Sequence, residues 1–402
     1  MMPRICRGTV PRKPHSALRV GERLLYEHCL TRQGFDGPHT ISYHLHPPQA
    51  FRALSRHNER FPVPVEREPS RQRWHLPKPS EPLHGSWLDA SVLLLYNADV
   101  RILRTTPTSP DDQYYCHVNA DQLLYVHEGG GILHSALGSL QFRAKDYVYV
   151  PRGLTHRFEL QRPRAQHWLV IQTRGAIGFP TQYVNGCGQL RMDAPYSHRD
   201  FSPPLFNGPR DEGLRSVAVL EANFGQAQSV EREAPQIVAS TVLRYPHSPL
   251  DTVGYDGCVY PWKFNILDFQ PRVGSIHLPP TTHGTFAAPG VLVCSFVPRP
   301  LDFHQDAIPC PYPHASVDVD EVLFYSEGEF TSRRGVGSGS LSFHPRGLTH
   351  GPQPGRYEQS IGVSRTEELA VMLDCSKPLF LTPLGLARAD AHYEASFSGY
   401  FE

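Results

Sequence analysis

Three residues of this chain form a ligand set that metal chemistry uses repeatedly: His314, Glu321 and His350. Two imidazoles and one carboxylate with open positions make a facial triad, which suits non-haem Fe(II) that must bind a substrate and dioxygen together. Zinc fits less well because no Cys joins the set, although His/carboxylate zinc sites exist. His314 and Glu321 are seven apart, an odd separation, so on one continuous strand they would face opposite ways. The segment "ASVDVD" therefore has to turn or bulge before the strand that carries Glu321. A hairpin at "SEGEF" and a turn at "GVGSGS" then return His350 to the side of Glu321. Asp318 and Asp320 are rival ligands on spacing alone.

The elements that position this set occur twice. "PRGLTH" at 345–350 is preceded by the same six residues at 151–156. "ADQLLYVHEGGG" at 120–131 resembles "VDEVLFYSEGEF" at 319–330, and each is followed by a Gly-rich turn and "GSLQF" or "GSLSF". A strand–turn–strand–turn unit of about 35 residues is thus present in two copies. The first copy offers His117, Gln122 and His156, with Gln122 where the second has Glu321. An amide brings no charge and is a poor ligand for a divalent cation, so the first copy is expected to lack the metal. Asp320 is matched by Asp121, and a residue shared by both copies is expected to serve the common turn. Glu321 is the one that differs, which selects it as the ligand. The duplicated unit resembles the double-stranded β-helix of bicupins. The expected fold is all-β: two such barrels with Pro-rich loops and few short helices. The domain division implied is 1–262, a β/cupin domain without the metal carboxylate, and 263–402, the catalytic cupin.

Composition agrees with strands and loops. The 39 Pro are roughly double the usual ~5% share, and Pro belongs in turns and strand ends. Lys+Arg and Asp+Glu are both 39, so the chain lacks the basic excess of a nucleic-acid binder. The eight Cys form no C-x-x-C pair and read as reduced thiols of an intracellular protein. No apolar leader opens the chain and no stretch is apolar enough to span a membrane, so a cytoplasmic, soluble protein is expected. Residues 55–85 are charged and Pro-rich and read as a long surface loop. Residues 175–250 carry no functional reading; "NGCGQLR" lacks the following helix that a phosphate loop needs.

Further pieces extend the reading: "VPRKPHSALR" at 10–19, "NADVRI" at 97–102, "VGYDGCVYPWKF" at 253–264, "HLPPTTHGTF" at 277–286, "PYPHASVDVDE" at 311–321 and "HPRGLTHGPQPG" at 344–355. With these the chain resembles the homogentisate 1,2-dioxygenase family, in its shorter bacterial form. The resemblance implies Fe(II) held by His314, Glu321 and His350, a small aromatic substrate and O2, and ring opening to a maleylacetoacetate-like product. It implies a homo-oligomer, trimeric or hexameric. His344 matches a histidine that contacts substrate. A family acid/base histidine falls on Pro280 in an ungapped placement, flanked by His277 and His283, between which the sequence does not choose; His277, His283 and His344 are the catalytic candidates. Phe286, Tyr312 and Phe330 are expected either as walls of the substrate site or as plain barrel core. The family usually has Tyr nine residues after the glutamate, where this chain has Phe330. Either that hydroxyl is dispensable, or the substrate presents another group there. The rival readings are the same chemistry on another hydroquinone or aminophenol, a bicupin that only binds a ligand, and an isomerase or hydrolase bicupin, which would need no dioxygen.

Overall fold

Runs of five to eight residues rich in Val, Leu, Tyr and Phe, bounded by Gly and Pro, favour a pleated, half-buried surface. They become strands almost throughout. The computed structural model describes residues 2–61, 72–161, 165–222, 224, 236–330 and 332–398. Among these, the α-helices are two four-residue turns, Arg356–Gln359 and Pro383–Leu386. Among the described residues, no helix is long and apolar enough to cross a membrane. The all-β, two-barrel expectation therefore holds.

The first barrel is built on an eight-stranded and a seven-stranded sheet. In the former, Asp121–Glu128 lies between Asp146–Val150 and His167–Thr173. The second barrel has a six-stranded sheet in which Asp320–Glu327 lies between Ser340–His344 and Leu369–Cys375. The duplication is exact in register: Asp121 pairs with Thr173 and Gln122 with Gln172, while Asp320 pairs with Cys375 and Glu321 with Asp374. A four-stranded sheet of Ile5–Gly8, Thr252–Gly257, His39–His44 and Tyr26–Thr31 stands beside the first barrel.

The halves exchange strands. Trp74–Leu76 pairs with Ser340–His344 of the second barrel, and Phe380–Leu381 pairs with Ser91–Tyr96 of the first. The strand Trp262–Asn265 runs across the 262/263 position and pairs with Asp146–Tyr149. The expected surface loop at 55–85 is corrected at both ends: Arg52–Phe61 is a strand on Gln236–Tyr245, and Trp74–Leu76 is the exchanged strand. Charge density does not separate a loop from an edge strand, whose free side also carries charge. Residues 62–71 of that segment lie outside the described residues.

The repeated "PRGLTH" turn is held the same way twice. In the second barrel Asp320 Oδ1 accepts from the Arg346 backbone N–H at 2.7 Å and its Nε–H at 3.2 Å, and Oδ2 accepts from Leu379 N–H at 2.6 Å. In the first, Asp121 takes the Arg152 backbone N–H and Nε–H, each at 3.1 Å, and Ile177 N–H at 3.1 Å. Both arginines then donate Nη2 to carbonyls of the neighbouring strand's end, Arg174 and Ser376. Next comes a glycine at positive φ, Gly153 at 82° and Gly347 at 73°, a conformation other residues resist. The expectation that the shared aspartate serves the turn is thus met.

Asp121 also receives Arg32 at 2.6 and 3.0 Å. Burial alone would push its carboxyl up, but Arg32 and Arg152 outweigh burial and hold it below the ordinary value. Its stabilising contribution is therefore full above the unfolded carboxylate pKa, about 4, and is lost as pH falls through the lower folded value. Asp121→Asn is expected to lose about 3 kcal/mol in urea unfolding near neutral pH, because two cations lose their counter-charge. Below about pH 4 the difference from the parent protein should narrow; an undiminished difference would exclude the ionic clip as its source.

Candidate metal centre

His314 and His350 meet through a two-residue bridge: each backbone N–H donates to the other's carbonyl at 2.8 Å. Their rings lie with centroids 4.4 Å apart. A bend at Val317–Asp318 precedes the strand that opens at Asp320, as the odd spacing requires. Glu321, the second residue of that strand, is 9% exposed. One ligand atom from each of His314, Glu321 and His350 lies within 4.8 Å of the others.

Backbone carbonyls orient both imidazoles. His350 Nδ1–H donates to Leu348 O at 3.0 Å, and His314 Nδ1–H donates to Tyr312 O at 3.1 Å. A carbonyl only accepts, so in each neutral ring Nε2 is left with its lone pair. His350 Nε2 is buried, has no hydrogen-bond partner, and sits 3.5 Å from Glu321 Oε1. Two lone-pair atoms facing each other in a buried site repel unless a cation lies between them. The separation is that of neighbouring donors on one metal with bonds of about 2.1 Å. The residues present therefore fit a divalent cation.

His344 is placed differently from its expectation. It is fully buried behind Glu321 and does not line the cavity in front of the triad. Register puts it directly opposite Glu321, and its Nδ1–H donates to Oε1 at 2.7 Å. Its Nε2 faces Arg333 Nη2 and the Tyr393 hydroxyl, both at 3.4 Å. Burial, aided by the Arg333 charge, keeps this ring neutral, with its pKa pushed down to about 3 despite Glu321. Burial opposes ionisation of Glu321, yet the hydrogen bond from His344 helps to hold the carboxyl well below the usual range. His344 thus orients the carboxylate, a role that ligands of this kind ordinarily require.

The cavity in front of the triad has a volume of about 120 Å³. His277, His283, His314, Glu321, Phe330 and His350 all line it. His283 sits on the short turn Pro280–His283, with its Nδ1 buried and unpartnered. Burial, then the Arg299 charge and His277, push its pKa down to about 3. His277 Nδ1 lies 3.5 Å from Asp302 Oδ2. Phe330 packs edge-on against Tyr325 at 4.5 Å. Of the two alternatives for Phe286 the structure takes core, and Tyr312 is neither core nor part of the lining. Phe286 is core, 1% exposed against Tyr147 and Trp262. Tyr312 is 54% exposed and contributes its backbone carbonyl to His314. Asp320 is spent on its turn, and Asp318 is exposed, so neither rival ligand joins the set.

Sequence reasoning missed Leu323, Tyr325, Arg333 and Arg299, which also line the cavity. The first two follow Glu321 at intervals of two on one strand, so period-two alternation could have found them. Arg299 pairs with Glu368 at 2.9 Å. Arg333 donates to Gly351 O at 2.6 Å while its Nε is buried and unpartnered. It arrives from beyond a hairpin, and no spacing rule reaches it.

The first barrel's equivalent lumen holds His117, Gln122 and His156, each 2% exposed or less. Gln122 Oε1 faces Gln172 Nε2 at 3.5 Å, and Arg101 Nη1 donates to Gln172 Oε1 at 3.1 Å. Two amides and a buried guanidinium stand where the second barrel has Glu321 and Asp374, and a fixed positive charge opposes a divalent cation.

No family model matches the chain. A protein of Saccharolobus solfataricus named "Putative dioxygenase" is 30% identical over 375 residues, covering 92% of each chain. Homogentisate 1,2-dioxygenases of Bradyrhizobium diazoefficiens and Nitrobacter hamburgensis are 23% and 25% identical, over 67% and 69% of this chain. Those matches span 59% and 60% of the relatives' own length. Among solved structures, a cupin 2 conserved barrel domain protein from Leptotrichia buccalis superposes with a TM-score of 0.31 at 10% identity, covering 71% of this chain and 88% of that one. The two-barrel description rests on the sheet registers rather than on that likeness.

His344→Ala is expected to weaken metal binding ten- to a hundredfold, about the usual loss for an orienting partner. Glu321→Gln, which copies the first barrel, should abolish it at this triad. Chelator competition against Fe(II) or Co(II) reads both; equal effects would mean that His344 is itself a ligand.

Proposed function

The chain belongs to the family of the dioxygenase-named Saccharolobus protein, and on that premise we propose that it is a ring-cleaving dioxygenase using Fe(II) and O2. The substrate proposed is a hydroquinone-type aromatic carrying a carboxylate, homogentisate first, with maleylacetoacetate as product. The observation that carries this reading is the buried His350 Nε2 facing the Glu321 carboxylate at 3.5 Å with no proton to share, at the wall of a cavity. His314, Glu321 and His350 would hold the metal, which when bound supplies electrons to dioxygen and a template for both reactants.

The chain's own residues supply the rest. Arg333 gives the cavity a cationic side chain, which favours an anionic substituent on the ring, whereas the Arg299 charge is paired with Glu368. Burial opposes the Arg333 charge, but Tyr325, Tyr393 and Glu321 outweigh it and keep the guanidinium ionised. His277, with Asp302 at its Nδ1, is the base: a proton accepted by this ring is shared with a carboxylate, the arrangement general bases use. His283, neutral and with a bare Nδ1, accepts a hydrogen bond from the ring hydroxyl. Leu323, Phe330 and Met372 exclude water from the ring.

A second reading rests on Phe330. Without a hydroxyl there, a ring oxygen pointing that way goes unsatisfied, at a loss on the order of 1 kcal/mol. This favours a related hydroquinone or aminophenol over homogentisate.

The test is oxygen uptake after anaerobic loading with Fe(II), addition of homogentisate and admission of air. Rapid uptake that is absent in Glu321→Ala is expected. His277→Ala should lower kcat by about 10²–10⁴ with a smaller change in KM. Iron retention with no uptake would replace homogentisate by another ring, and Phe330→Tyr should then restore uptake. Failure to retain iron would sink the dioxygenase reading.

A further inference from the structure

We propose a second metal site, for a zinc-class divalent cation, at His46, His247 and Asp251, on the sheet beside the first barrel. It is independent of the dioxygenase reading. The sheet register creates it. His39–His44 and Thr252–Gly257 are paired neighbours with His44 opposite Thr252, so the residues just beyond these strand ends, His46 and Asp251, meet. His247 follows the strand Gln236–Tyr245 and stacks on His46 with ring centroids 4.3 Å apart. One donor atom from each residue lies within 4.8 Å of the others.

The donors are prepared for a cation. His247 is 8% exposed, and its Nδ1–H donates to Ser248 O at 3.0 Å. Its Nε2 therefore carries the lone pair, and that atom is buried with no hydrogen-bond partner. A buried acceptor left without a donor is costly, and a cation is the group that would satisfy it. His46 Nδ1 lies 3.0 Å from Asp251 Oδ2, with one proton between them. That is a hydrogen-bond length, somewhat shorter than the roughly 3.4 Å between two donors bound at about 2.1 Å to a tetrahedral ion, so the pair moves apart slightly on binding. The cation takes the proton's place, and the proton passes to the other nitrogen of the His46 ring. No bond to carbon changes and no electron moves.

An outer layer is already built. Asp251 is 3% exposed; its Oδ1 accepts from His44 Nδ1–H at 2.7 Å, and His44 Nε2 shares a hydrogen bond with Ser42 Oγ at 2.8 Å. The His46 backbone N–H adds a bond to Oδ2 at 2.8 Å. Carboxylate ligands are held in this manner by residues behind them. The site opens on a cavity of about 390 Å³ lined by His28, Ser42, His44, Phe51, Tyr245 and His247. Three protein donors with an accessible fourth position is the pattern of open zinc sites. The other comparable cluster, His127, Glu128 and His167, is weaker: Lys78 Nζ already neutralises Glu128 at 2.5 Å.

The experiment strips the full-length protein with chelator, titrates it with Co(II) or Zn(II), and counts ions per chain by elemental analysis, with the visible Co(II) absorption as readout. Two equivalents are expected in the parent protein. His247→Ala and His46→Asn should each lose one equivalent and keep the one that Glu321→Ala loses. His46 has a side chain 36% exposed, so its substitution disturbs less packing than His247→Ala. An ion count that neither His247→Ala nor His46→Asn lowers overturns the proposal. An empty triad would appear instead as one equivalent in the parent that Glu321→Ala keeps and both histidine variants lose.

Discussion

One buried aspartate per barrel holds the geometry of each lumen. Asp121 and Asp320 tie the start of "PRGLTH" to the end of a strand two positions away in the sheet, through the arginine's backbone and side chain together. With that turn pinned, the histidine four residues after the arginine enters the lumen at a set angle. The carbonyl of the preceding leucine then fixes its tautomer, at 2.9 Å for His156 and 3.0 Å for His350. The clip explains why six residues repeat while the chemistry around them does not: the turn positions a histidine whatever that histidine goes on to do.

The two lumens diverge at a pair of facing positions. Glu321 opposite Asp374 in the second corresponds to Gln122 opposite Gln172 in the first, with Arg101 beside the amides. Burial, and then the charge of Glu321, push the Asp374 carboxyl up to about 7. The second lumen thus concentrates negative charge, which a divalent cation relieves. The first has neutral amides and a guanidinium in its place.

The exchanged strands bind the barrels into one core. Trp74–Leu76 backs the strand carrying His344, and the tyrosine hydroxyls of Tyr125 and Tyr147 bond Ser326 and Ser295 across the contact at 2.7 and 2.9 Å. This is also why Phe286 is not at the substrate site. It sits on the side of its strand that meets Tyr147 and Trp262, and aromatic burial between barrels decides its place.

The sequence by itself determined the duplicated β unit, the triad at its second copy, the bend before Glu321 and the structural duty of the shared aspartate. All of these follow from identity, spacing and the period of two along strands. The tertiary structure alone decided that His344 stands behind the carboxylate, that His277 and His283 face the cavity with different partners, and that Arg299 and Arg333 join them. It also decided the strand exchange and the meeting of His46, His247 and Asp251. These depend on which strands become neighbours and in what register, and pairing between residues some two hundred positions apart leaves no local pattern to read.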